Sequence, residues 1–222
     1  MCIRDRIINE ELTVDDSLFL YHDVCTNGIG YVDLMFKTDS IAPEQIPYLG
    51  LLKSVLGYVD TENYTYGELF NEINANTGGI NCGVEVFDRA DSTEEFQAMF
   101  SVRGKALYTK MDFLFKMIGE ILNSSKLEDT KRLYEIVASV KSRAQVNLTG
   151  AGHSTAVLRA AAYSSPMAAF QDEMAGIGYY QFIEKLEKDF EQRKEETVEE
   201  LCKLMKKILR PENFMISYTC LL

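Results

Sequence analysis

Apolar residues run densely through positions 43–58, PEQIPYLGLLKSVLGY. Ile46, Leu49, Leu51, Leu52, Val55 and Leu56 cover more than one side of a helix, which predicts a buried element with other structure packed around it. Pro43 suits a first helical turn, where its missing N–H costs nothing, and Glu44 complements the helix dipole. Ahead of this helix, residues 17–24 (SLFLYHDV) and 28–38 (GIGYVDLMFKT) are rich in Phe, Tyr, Val and Leu and read as strands. Between them Asn27-Gly28 tolerates positive φ at both positions and predicts a hairpin turn. In the second strand Val32, Leu34 and Phe36 share an apolar face. Tyr31, Asp33, Met35 and Lys37 make the opposite face mixed, as in a sheet covered on one side and partly wet on the other.

After the buried helix, Thr65-Tyr-Gly-Glu68 forms a capping box ahead of Leu69, Phe70 and Ile73, and Gly78-Gly79 stops that second helix. Strands are expected at 80–87 and 96–102, joined by a polar loop at 88–93. Then the pattern turns helical: 107–122, 129–148, a short alanine-rich 154–163, and a helix opened by Pro166 that continues through Ile183. The mixed charges at 184–200 predict a solvated helix face. Val198, Leu201, Leu204, Met205 and Ile208 give the next helix an inward stripe. Arg210-Pro211 stops it, and 214–219 (FMISYT) closes the chain as a strand. Strands grouped apart from helices predict an α+β fold: an antiparallel sheet with a helical block packed on one face. Residues 1–6 (MCIRDR) carry no pattern that continues into the rest and read as an artefactual leader. Residues 7–16 read as a polar lead-in. Positions 7–222 are expected to form a single domain.

Composition narrows the function. An apolar fraction of 46 % and a charged fraction of 26 % are those of a globular protein, and a net charge of −11 disfavours a nucleic-acid partner. No apolar run reaches the ~18–20 residues of a membrane span, so no membrane partner is expected, and the charged start lacks the apolar core of a secretory signal. Five scattered cysteines, with no C-x-x-C pair and no histidine at ligand spacing, predict reduced thiols in a reducing, cytoplasmic setting.

Candidate chemistry is sparse. The glycines form neither a phosphate loop nor a dinucleotide fingerprint, and no G-x-S-x-G is present. Of the two histidines, His22 lies on a strand beside Asp23 as a structural imidazole. His153 sits in Gly150-Ala-Gly-His-Ser-Thr155, where a helix start could hold an anion but capping by Ser154 or Thr155 explains the same residues. Asp23, Asp33, Asp60 and Glu62 could supply an acid–base pair, but among 34 acidic residues such groupings arise readily and a solvated surface is the favoured reading. These residues alone define no catalytic, metal or substrate-binding site.

Several runs nevertheless resemble one family. Residues 21–34 (YHDVCTNGIGYVDL), 47–58 (PYLGLLKSVLGY), 62–69 (ENYTYGEL), 139–143 (SVKSR) and 151–155 (AGHST) are similar, in order, to the insulinase-like (pitrilysin) zinc metallopeptidases of the presequence protease subgroup. The resemblance implies four related α+β domains in two hinged halves that close around an unfolded peptide. Zinc is held in the first domain by an inverted H-x-x-E-H helix following the first hairpin. This chain resembles the third, peptidase-associated domain, truncated at both ends. At the place of the zinc helix it reads Gly50-Leu51-Leu52-Lys53-Ser54. Glycine and serine replace the two histidines, and lysine replaces the general base; no shift of register creates a histidine. The resemblance therefore implies no zinc in this chain, zinc in the catalytic domain of a parent protein, and a non-catalytic chamber wall. Its expected partners are the parent's other domains and extended peptide substrates. The alternative is a stand-alone homologue acting as the scaffold subunit of a catalytic peptidase.

Overall fold

The computed structural model describes residues 8–14, 17–89 and 92–220. Six strands form one sheet: β1 (Ile8–Val14), β2 (Ser17–Asp23), β3 (Ile29–Lys37), β4 (Ile80–Arg89), β5 (Ser92–Leu107) and β6 (Phe214–Cys220). Their spatial order is β1-β2-β6-β3-β5-β4. Neighbours are antiparallel except β2 and β6, which run parallel. The helices are α1 (Ile46–Val55), α2 (Tyr66–Asn76), α3 (Met111–Ser124), α4 (Thr130–Gly150), α5 (Gly152–Ala161), α6 (Pro166–Ala175), α7 (Ile177–Lys188) and α8 (Phe190–Ile208). The architecture is α+β.

Alternation along β3 sorts the sheet faces as the pattern predicts. Val32, Leu34 and Phe36 are buried and join Phe100 and Val102 of β5 in a core shared with α1, α3 and α4. Tyr31 and Lys37 stay exposed, and the face they share carries polar Asp33 and Arg103. Among the described residues no helix is long and apolar enough to cross a membrane.

The predicted buried helix lies at the centre of the helical layer. A short 3₁₀ turn at Pro43–Gln45 leads into α1, whose Leu49, Leu51, Leu52 and Val55 are fully buried. It packs on α4, α6, α7, α8 and β4. Two ties fix its start to α8: Gln45 Nε2 donates to Glu200 at 2.9 Å, and Arg193 donates to the Tyr48 hydroxyl at 2.9 Å. Downstream, the Thr65–Glu68 capping box forms in both directions, as expected.

Several boundaries differ from the pattern. β2 and β3 do not form a hairpin. Their turn is present, with Asn27 at φ 52° and Gly28 at φ 83°, but β6 inserts between the two strands. The insertion hydrogen-bonds an edge of each strand and stacks Phe214 on Phe36, with centroids 5.4 Å apart. Residues 8–14 are not a lead-in but the edge strand β1, paired along its whole length with β2. β5 runs on to Leu107 because β3 pairs with it that far, so α3 starts at Met111 rather than near 107. The helix opened by Pro166 breaks at Gly176. There the buried Asp172 accepts from the N–H groups of Ile177 (3.0 Å) and Gly178 (3.2 Å), which starts α7. The expected loop at 88–93 is shorter, with β4 reaching Arg89 and β5 starting at Ser92; positions 90–91, like 1–7, lie outside the described residues.

Candidate functional site

The segment Gly50–Ser54 occupies the inner half of α1, and its two ends meet opposite environments. At Gly50 the helix touches the α6–α7 junction. A Cβ added there would stand 2.7 Å from the Met174 carbonyl oxygen and 2.8 Å from the Tyr179 ring. Glycine is required by that approach, and an imidazole has no room. One turn on, Lys53 and Ser54 face open space. Three cavities meet there, of about 490, 240 and 200 Å3, bounded by β4, by the α4–α6–α7 side and by the mid-section of α4. Ser54 and Arg143 line all three, and Lys53 lines the larger two.

The electrostatics of this junction are those of unmatched cations. Burial lowers the Lys53 ammonium below the usual lysine value, with no opposing charge to restore it. Among the described residues neither Lys53 nor Arg143 has a carboxylate at ion-pair distance. Their acidic neighbours are already engaged: Glu135 with Arg132 at 2.9 Å, and Glu85 with Arg103 at 3.0 Å. Arg132 also donates to the Tyr58 carbonyl and covers the Tyr66 ring at 3.8 Å. Ser54 Oγ donates to its own helix at the Gly50 carbonyl, 3.3 Å away. Tyr179 is only 5 % exposed, and its hydroxyl has no partner in hydrogen-bond geometry. Burial pushes that phenol well above the ordinary tyrosine value, and the neighbouring Ser54 hydroxyl and the Arg143 charge act in the opposite direction.

These residues do not fit zinc. Two of the three positions that an inverted zinc motif would use are glycine and serine, and the third is a cation that repels a metal ion. Among the described residues no three His, Cys, Asp or Glu side chains converge to hold a metal.

A second cavity, about 400 Å3, opens on the polar face of the sheet beside Tyr31, Asp33, Asn81, Lys105 and Thr219. There Arg103 bridges Asp33 (2.7 Å) and Glu85 (3.0 Å), so opposite charges neutralise one another.

The residues singled out in the sequence do not come together. His22 Nε2 lies 3.1 Å from Ser217 Oγ, a strand-to-strand contact. His153 is exposed near the start of α5. Capping by Ser154 or Thr155 does not occur: both lie inside α5, Ala151 takes the N-cap position without a side-chain bond, and Thr155 donates back to the Ala151 carbonyl. Asp60 accepts from the Tyr66 N–H at 2.7 Å and Asp33 pairs with Arg103, which leaves neither poised as an acid–base partner. Sequence reading missed Tyr179, and it met Arg143 only as the end of the run 139–143; neither helical spacing nor that run marks a shared cavity.

The family model for the peptidase-associated domain of metallopeptidase family 16, subfamily C, matches residues 3–186. This chain belongs to that family. The associated domain is 34 % identical over 214 residues to "Protein HypA" of Clostridium perfringens, covering 96 % of the chain and 22 % of the relative. It is 29 % identical over 168 residues to the mitochondrial presequence protease of Yarrowia lipolytica, covering 76 % and 17 %. With the chloroplastic/mitochondrial presequence protease 1 of Arabidopsis thaliana the identity is 26 % over 200 residues, covering 90 % and 18 %. The associated domain thus spans about a fifth of the length of the curated relatives it matches, and its insulinase-type kinship agrees with the resemblance drawn from its motifs.

Proposed function

We propose that this domain is a non-catalytic wall of a zinc-dependent peptidase that degrades unfolded peptides in a closed chamber. The observation that carries the reading is Gly50. The turn of α1 that resembles a zinc helix is sealed against Met174 and Tyr179, so the scaffold is retained where the metal chemistry cannot be. Zinc would then belong to a catalytic domain elsewhere in the parent protein. Two features support a passive role in holding peptide. Strand β4 pairs only with β5 among the described residues, and its other edge lies along the 490 Å3 cavity, where an extended segment can add main-chain hydrogen bonds. Helix α5, with Val157 69 % and Tyr163 83 % exposed nearby, offers apolar surface for a sister domain.

The test is to read the genomic reading frame on both sides of these residues. An H-x-x-E-H helix encoded upstream in the same frame is expected. Start and stop signals closely bracketing the chain would overturn the reading in favour of a separate scaffold subunit.

A further inference from the structure

The junction around α1 is built to receive something. Two cations line it with no carboxylate in reach among the described residues, although the chain as a whole carries a charge of −11. The buried Tyr179 hydroxyl beside them also has no partner in hydrogen-bond geometry, and a buried polar group in that state costs stability, which a ligand that accepts from it would offset. We propose that the junction of α1, α4 and α7 is a binding site for a peptide carboxylate, with Lys53 and Arg143 as its cationic partners and the Tyr179 hydroxyl as its neutral donor.

The chemistry matches group by group. A carboxylate accepts at about four lone-pair positions, and the site offers an ammonium, a guanidinium fork and a phenol. Tyr179 keeps its proton to donate because burial disfavours the phenolate. Ser54, spent on the Gly50 carbonyl, is not needed. The 240 Å3 cavity holds one carboxylate with the residue that bears it, and the adjoining 490 Å3 cavity leads the remaining peptide along the free edge of β4. The carboxylate can be a chain terminus or an Asp or Glu side chain. By contrast, the cation on the polar sheet face, Arg103, is already neutralised by Asp33 and Glu85 and has nothing to offer. The inference rests on these side chains and not on the chamber reading, so each can fail without the other.

The experiment is a calorimetric titration of the chain with four probes. They are an acetylated tetra-alanine acid, its C-terminal amide, the same amide carrying one glutamate, and inorganic phosphate. At least one carboxylate probe is expected to bind about tenfold or more tightly than the plain amide. Whichever carboxylate probe binds identifies the source. Lys53→Met and Arg143→Gln should each weaken that binding about tenfold, and Tyr179→Phe about threefold, with no fall in the thermal midpoint. Arg143 is exposed, so Arg143→Gln carries the test even if another variant folds poorly. Binding of neither carboxylate probe more tightly than the plain amide, phosphate binding as tightly as the peptides, or indifference to Arg143→Gln would each overturn the assignment.

Discussion

Helices α1 and α5 have ten residues each; seven of those in α1 are buried and none of those in α5. The first is held by apolar packing from several directions. The second is held to its neighbour by the ion pair from Arg159 to Asp172, 2.6 Å long, in which the acid is only 1 % exposed. The difference separates two jobs. A helix enclosed on most of its surface stabilises a domain and leaves no room for a larger side chain at Gly50. A helix clamped by one charge pair and otherwise open can present a surface without carrying the fold.

The largest effect should come from forcing chemistry back onto the enclosed helix. Gly50→His has to displace the Met174 carbonyl and the Tyr179 ring, and overpacking of this kind costs about 3 kcal/mol or more. Chemical denaturation should show that loss, and metal analysis should show no zinc gained. Leu51→Ala, at a fully buried position, should cost about 2–5 kcal/mol. Asp172→Ala should cost about 2–4 kcal/mol, because it strands two N–H groups at the start of α7 and releases Arg159. Faster hydrogen exchange should then concentrate in α5 and the start of α7. If α5 is unaffected, the clamp is not what holds it.

Lys53→Met acts in the opposite direction. Burial lowers the folded-state pKa of this lysine, so the charged form is disfavoured by folding, and removing the charge should stabilise the fold at pH 7. The cost is complete below the folded pKa. It shrinks as pH rises toward the unfolded value of ~10.4, so the gap between variant and wild type should close there. A gap independent of pH would mean that packing, not desolvation, separates them. The smallest effect belongs to α5: Val157→Ser should change stability by no more than about 0.5 kcal/mol while reducing self-association in light scattering.

How much of this was legible follows from range. Val32, Leu34, Phe36 and the α1 residues announce their burial by local spacing, and Thr65–Glu68 announces its cap, because each signal lies within one or two turns of chain. The hairpin expected at Asn27-Gly28 failed because its competitor, β6, starts only at Phe214, and no local pattern records a strand that inserts from the far end of the chain. β1 went unread because its charged residues masked a short alternation. The break at Gly176 depends on Asp172 turning back onto the next helix. The site divides in the same way. The missing histidines at Gly50 and Ser54 could be read directly, whereas the meeting of Lys53, Arg143 and Tyr179 is a product of the tertiary fold.

The central claim is that the scaffold of a zinc domain persists here with its metal site closed. Metal analysis of the purified chain after incubation with zinc and dialysis, alongside cleavage of an unfolded peptide, tests it most directly. The account predicts well under one zinc per chain and no cleavage. One tightly held zinc per chain, or turnover of the peptide, would contradict it.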